Sequence, residues 1–135
     1  MVTKKYLDDL EYQITGACID VHKHLGPGLL ESVYQKCLAH ELRLRHILFS
    51  SEHTIDVVYK GFHLDTALRV DFLIENCLVI EIKSVNSILP IHEAQLLTYM
   101  KLLETPKGLL INFNCTNIIQ NGKKPYVNEF YRNLI

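Results

Sequence analysis

Apolar residues near the start of the chain recur every three or four positions. Leu7, Leu10, Ile14, Ala17, Val21 and Leu25 fall on one stripe, the mark of an amphipathic helix. Gly26-Pro27-Gly28 should end it, because Gly26 suits a helix C-cap and Pro27 cannot continue the hydrogen-bond ladder. A second stripe of Leu30, Val33, Tyr34, Cys37, Leu38 and Leu42 predicts another helix, ending near His46. The period then changes. Thr54–Tyr59 is β-branched and aromatic, Lys60-Gly61 reads as a turn, and Phe62–Asp65 starts a return strand. Leu68–Ile74 and Leu78–Ser84 predict two more strands. Pro90 opens a helix running through Leu103, proline being favoured in a first helical turn. Gly108–Phe113 is almost wholly apolar and suits a buried strand. Asn121-Gly122 suggests a turn, and Tyr126–Phe130 an edge element. Helix, helix, several strands, helix, strand is the order of an α/β fold, a mixed central sheet flanked by helices.

The hairpin from Leu68 to Ser84 can be tested for register. With a two-residue loop, Glu75-Asn76, both faces become chemically mixed. With a three-residue loop, Glu75-Asn76-Cys77, one face carries Val70, Phe72, Ile74, Leu78, Ile80 and Ile82, all apolar. The other carries Arg69, Asp71, Leu73, Val79, Glu81 and Lys83. Register follows the hydrophobic pattern, so the three-residue loop is preferred. Asn76 tolerates the left-handed conformation such a loop needs. Asp71 then stands opposite Glu81, with Lys83 on the same face. Opposed like charges repel, and a divalent cation is one way to offset that. An ion-pair network among Arg69, Asp71, Glu81 and Lys83 is the other. An Asp followed by E-x-K is too common to decide between them.

Composition adds bounds. The chain has 135 residues, 48% apolar and 21% charged, which suits one domain, residues 1–135, with a core of its own. No apolar run reaches the roughly 18 residues of a membrane span, and Met1–Leu10 mixes Lys, Asp and Glu, so neither a membrane partner nor a leader peptide is expected. Cys18, Cys37, Cys77 and Cys115 form no CxxC pair and read as small hydrophobes in a cytoplasmic protein. The net charge of -1, from 14 basic and 15 acidic residues, is not that of a nucleic-acid coat protein. Lys4/Lys5, Arg43/Arg45 and Lys123/Lys124 are the local basic pairs, each more often plain solvated charge than a binding patch. The seven histidines form no HExxH site. His22 and His24 read as solvated, and His92 as a neighbour of the site rather than an actor. No nucleophile elbow, P-loop or dinucleotide fingerprint is present.

Several segments together carry a resemblance. Val21-His22-Lys23-His24-Leu25-Gly26-Pro27 leads into Gly28-Leu29-Leu30-Glu31-Ser32-Val33-Tyr34, which reads G-x-x-E-x-x-Y. Then come Arg69-Val70-Asp71, Glu81-Ile82-Lys83-Ser84, His92-Glu93-Ala94-Gln95 leading to Tyr99, and Gly108–Phe113. In order and spacing this resembles the GxxExxY family of small bacterial and archaeal proteins, placed among the PD-(D/E)xK nucleases, from about Ile14 to Gly122. The resemblance implies a restriction-endonuclease-like core. It implies that Asp71 and Glu81 bind Mg²⁺ (or Mn²⁺), with the Ile82 carbonyl as an extra ligand and Lys83 as catalytic lysine. Glu31 would complete the metal site or hold its water. Gln95 and Tyr99 match the Q-x-x-x-Y of RecB-like nucleases and would line the site. The family's late Gly-x-x-Arg is here Gly122-Lys123-Lys124-Pro125, so the resemblance does not carry over its C-terminal arginine.

Plainer roles exist for several of these. Glu31 in a first helical turn is favoured by the dipole alone, Tyr34 and Tyr99 are packing residues in most proteins, and Ser84 ends a strand. Two functions follow as expectations. One is a nuclease hydrolysing phosphodiesters with metal-activated water, DNA being preferred over RNA as substrate. The other is a non-catalytic nucleic-acid-binding or protein-interaction module on the same fold. A homo-oligomer or a partner protein fits a chain this small.

Overall fold

The computed structural model describes residues 1–65 and 68–135. The elements run α1 (Lys4–Leu25), α2 (Glu31–Leu44), β1 (Phe49–Thr54), β2 (Val58–Tyr59), β3 (Phe62–His63), β4 (Arg69–Ile74), β5 (Leu78–Lys83), α3 (Pro90–Leu102), β6 (Lys107–Asn112), a π turn (Ile118–Gly122), β7 (Lys123–Val127) and α4 (Glu129–Arg132). Five strands form one sheet in the order β1-β4-β5-β6-β7, and β2 and β3 form a separate ribbon. Within the sheet β5 and β6 are parallel; the other neighbours are antiparallel. A parallel pair needs a crossover, and α3 supplies it. This is the expected mixed α/β sheet flanked by helices.

The sheet separates two apolar clusters. On one side α1 and α2 bury Leu7, Leu10, Ile14, Tyr34, Leu38 and Leu42 against Phe72, Ile74, Ile80 and Ile82. On the other, Leu96, Tyr99 and Met100 of α3 meet Leu73, Val79 and Leu110. The stripe expected on α1 is the one buried. Thr3 caps its start, its hydroxyl accepting from the Tyr6 amide, and Gly26, at φ 70, ends it with its N–H on the His22 carbonyl. On α2 the stripe begins one turn late, since Leu30 and Val33 remain exposed and burial starts at Tyr34.

Four differences from the sequence reading have physical causes. Thr54–Tyr59 is not one strand: Thr54 closes a mostly polar edge strand, Phe49–Thr54, whose residues need no apolar alternation because little covers them. Ile55 turns into the core, and Val58–Tyr59 opens the ribbon. Val70 leaves the face of Phe72 and joins Ile55, Leu73 and Val79. Pairing between β4 and β5 stops at Phe72↔Ile80, and the β1 residue facing this point, Glu52, has φ 51, so the pleat does not continue through Asp71. At the C-terminus, Asn121-Gly122 closes a π turn whose Asn117 carbonyl accepts from both the Asn121 and Gly122 amides. Strand β7 then starts at Lys123, earlier than expected, with Pro125 tolerated on a sheet edge.

Candidate active site

The site is built on the β4–β5 hairpin. Glu75 and Asn76 take positive φ (50 and 57), and the pairs Ile74↔Leu78, Leu73↔Val79 and Phe72↔Ile80 set the three-residue loop. The next position in that register places Asp71 across from Glu81. Their backbones do not pair; the side chains take over. The Asp71 amide donates to Glu81 Oε1 at 3.0 Å, and the Ile82 amide donates to Asp71 Oδ2 at 2.7 Å. Each carboxylate thus stands in for a missing ladder partner and keeps its second oxygen outside these bonds.

Burial sets the electrostatics. Glu81 is only 7% exposed, and its carboxyl is pushed up to about 7, first by burial, then by the charge of Asp71, with the Asp71 amide and Lys83 pulling it down and Glu31 adding to the rise. Asp71 is also raised, again by burial first, against the pull of the Ile82 amide; Glu52 and Glu31 raise it further and Lys83 lowers it. Lys83 is therefore within electrostatic reach of both carboxylates. It ends β5, level with Asn112 of β6. Asn112 holds the next loop, accepting from the Val85 amide at 3.1 Å and donating to its carbonyl at 3.0 Å.

These groups suit a divalent cation. Two partly desolvated carboxylates share one nearby lysine, so the site holds surplus negative charge when ionised. The Ile82 amide points toward Asp71, and a strand residue's carbonyl points the same way as its amide, which leaves that oxygen beside the carboxylates. Glu31 is less close. It is exposed at the first position of α2, and among the described residues no three His, Cys, Asp or Glu side chains gather tightly enough to hold a metal. Its charge is felt by both carboxylates.

What carries Glu31 there is a clamp not anticipated from the sequence. The Tyr34 hydroxyl donates to the Gly26 carbonyl at 2.6 Å and accepts from the Leu29 amide at 3.2 Å. Its ring stacks on Phe113, just past the end of β6, centroids 4.5 Å apart. Ser84 Oγ donates to the Leu29 carbonyl at 2.6 Å, tying the end of β5 to the same loop. The glycine and the tyrosine of G-x-x-E-x-x-Y are thus parts of one loop anchor, with Gly28 at φ 93.

On the opposite side, α3 brings Tyr99 within electrostatic reach of the carboxylates, with Gln95 beside it. Tyr99 is nearly buried. Its hydroxyl is raised by burial first and by Glu81, while Gln95 lowers it and Asp71 raises it. Gln95 is exposed. Glu52, bonded to Gln35 at 2.8 Å, is a further acidic neighbour that β1's polar sequence did not single out.

Other candidates fall away from the site. His22 is not solvated: its Nε2 lies 2.9 Å from the Cys115 carbonyl. His92 Nδ1 accepts from the Leu89 amide at the start of α3. Lys123 bonds Glu11 at 2.7 Å, and Lys124 bonds Glu93 at 3.0 Å. Arg45 is held by Asp20 and Glu41, and Lys5 by Asp9. Each of these basic groups already has a carboxylate partner.

A sheet of this order, with two carboxylates and a lysine on its central hairpin, defines a restriction-endonuclease-like protein. A family model described as the PD-(D/E)XK nuclease superfamily matches residues 8–124, and the chain belongs to that superfamily. No curated protein and no solved structure matches it. Membership points to nuclease function, a nucleic-acid substrate and a divalent metal ion. Among the described residues, no helix is long and apolar enough to cross a membrane.

Proposed function

We propose that this chain, as one domain of the GxxExxY kind, is a Mg²⁺- or Mn²⁺-dependent nuclease that hydrolyses phosphodiester bonds, with DNA as the preferred substrate. The observation that carries the reading is the Asp71–Glu81 pair. Two carboxylates face each other at the end of a buried hairpin, each bonded to the other strand's backbone, with Lys83 alongside. Asp71, Glu81 and the Ile82 carbonyl would hold the cation, and Glu31 would bind its water. A divalent cation there supplies an activated water and charge for the phosphate's non-bridging oxygens.

The chain's own residues do the rest. The backbone amides fix both carboxylates before substrate arrives, which lowers the ordering cost of the bound state. The Lys83 ammonium meets charge as it develops on the phosphate. Tyr99 closes the α3 side with its ring, and Gln95 offers an amide to the substrate. Four unpaired cysteines fit a cytoplasmic setting. A second copy or a partner protein would extend the small surface available for gripping a duplex.

The test is incubation of single- and double-stranded DNA and RNA with the protein and Mg²⁺ or Mn²⁺, beside Lys83→Ala and Glu81→Ala. Cleavage by wild type, reduced at least a hundredfold in both variants and stopped by a chelator, is expected. Equal residual cleavage in all three, or none with any substrate, would sink the proposal and favour the non-catalytic binding module.

A further inference from the structure

The ribbon β2–β3 keeps its large side chains out of both apolar clusters. Tyr59 is 63% exposed and Phe62 67%. They are cross-strand partners, so the two rings lie side by side on one face. Lys60 and Gly61, at φ 47 and 80, make the tight turn, and the Lys60 ammonium sits 5.4 Å from the centre of the Tyr59 ring. Behind the turn, the Leu64 amide bonds the Val57 carbonyl at 2.9 Å, holding the ribbon's root.

Topology puts this ribbon at the same end of the sheet as the site. Strands β4 and β5 are antiparallel, so the start of β4 at Arg69 and the end of β5 at Lys83 lie at one end of the sheet. Thr54, the last residue of β1, pairs with Arg69 at that same end. The ribbon spans the connection between those two residues. It therefore rises from the end of the sheet that carries Asp71, Glu81 and Lys83.

Charge does not explain it. Lys60 and Arg69 are offset by Asp56 and Asp65 in the same connection, so the ribbon exerts little net pull on a phosphate backbone. A protein interface is not the better occupant either. A stable one buries about 1,000 Å² or more, and two strands of two residues each offer little of that. Two adjacent exposed rings, with a lysine over that of Tyr59, do match one chemistry: the face of an unpaired base, which stacks on aromatic side chains whatever its sequence.

We propose that Tyr59 and Phe62 form a stacking platform for unpaired bases, making single-stranded or frayed nucleic acid the substrate the site receives. This rests on the nuclease reading and narrows its substrate. The chain contains no tryptophan, so Phe62→Trp would place one fluorophore on the platform. In a Lys83→Ala background with Mg²⁺, a single-stranded 12-mer is expected to quench that emission, and a blunt duplex of the same sequence to leave it unchanged. The double variant Tyr59→Ala/Phe62→Ala should bind the single strand about tenfold or more weakly, with duplex binding unaffected. Tyr59→Phe, which keeps the ring, should retain affinity. Silent emission while anisotropy reports single-strand binding, or equal affinity in the double-alanine variant, overturns the platform and leaves the nuclease reading standing. A change from dimer to monomer in the double-alanine variant assigns the rings to a second copy and overturns it too. Wild type that neither binds nor cleaves nucleic acid overturns both.

Discussion

Replacing Glu81 by glutamine removes a carboxylate that the fold holds buried beside Asp71, while keeping an oxygen to accept from the Asp71 amide. The carboxyl is raised from 4.5 to about 7, so the folded protein holds this proton more tightly than the unfolded chain. The stability it contributes is therefore full below about pH 4.5 and is lost as pH rises through about 7. At about 1.4 kcal/mol per pH unit, that interval corresponds to roughly 3 kcal/mol. Urea unfolding of metal-free wild type and Glu81→Gln at pH 5 and pH 8 isolates the Asp71–Glu81 pair, because the titrating groups away from it are common to both. The difference between them should change by roughly 2–3 kcal/mol across that range, with the variant the more stable at pH 8. Mg²⁺ at pH 8 should then raise the wild-type midpoint and leave the variant nearly unmoved, since a ligand stabilises only the state that binds it. Parallel pH curves, or a variant less stable than wild type at pH 8, would refute the picture of a buried, electrostatically strained carboxylate.

Two further predictions concern the groups around the site. Tyr34→Phe keeps the stack on Phe113 but loses the bonds to Gly26 and Leu29; it should cost about 1–3 kcal/mol in urea unfolding and slow cleavage through a misplaced Glu31, and unchanged stability would show the loop is held otherwise. Glu11→Ala leaves Lys107, whose side chain is only 7% exposed, with Asp8 as its one carboxylate partner among the described residues, and should cost about 3 kcal/mol at pH 7. Burial works to raise the Glu11 carboxyl, but Lys107 and Lys123 outweigh it and the net shift is downward. Its contribution is present above the ordinary carboxylate range and fades as pH falls through the depressed value, so the two proteins should converge on acidification; a gap that persists at pH 2 would contradict this.

The parts legible in the sequence were those with a local rule. Alternation from Phe72 to Ile82 set the hairpin register, and with it Asp71 opposite Glu81, because a one-residue slip would expose an entire apolar face. The α1 stripe was legible for the same reason. What escaped depended on distant partners. The Tyr34 ring stacks on Phe113 while its hydroxyl and Ser84 both bond the Gly26–Leu29 loop, and no spacing announces that meeting. Glu11 finds Lys107 and Lys123 at the far end of the chain, which turned a candidate basic patch into an internal anchor. The polar strand Phe49–Thr54 has no periodic signal, and Val70 broke the alternation at the point where carboxylates replace backbone pairing. Glu31 came only through the motif; as the exposed first residue of α2 it looks like an ordinary helix-start carboxylate.

The most direct test is anomalous scattering from a crystal soaked in Mn²⁺. One peak between Asp71 and Glu81, within coordination distance of the Ile82 carbonyl and lost in Glu81→Ala, is the predicted result. A protein that cleaves nucleic acid with Mn²⁺ while the ion sits elsewhere, or while no peak appears at these carboxylates, would contradict it.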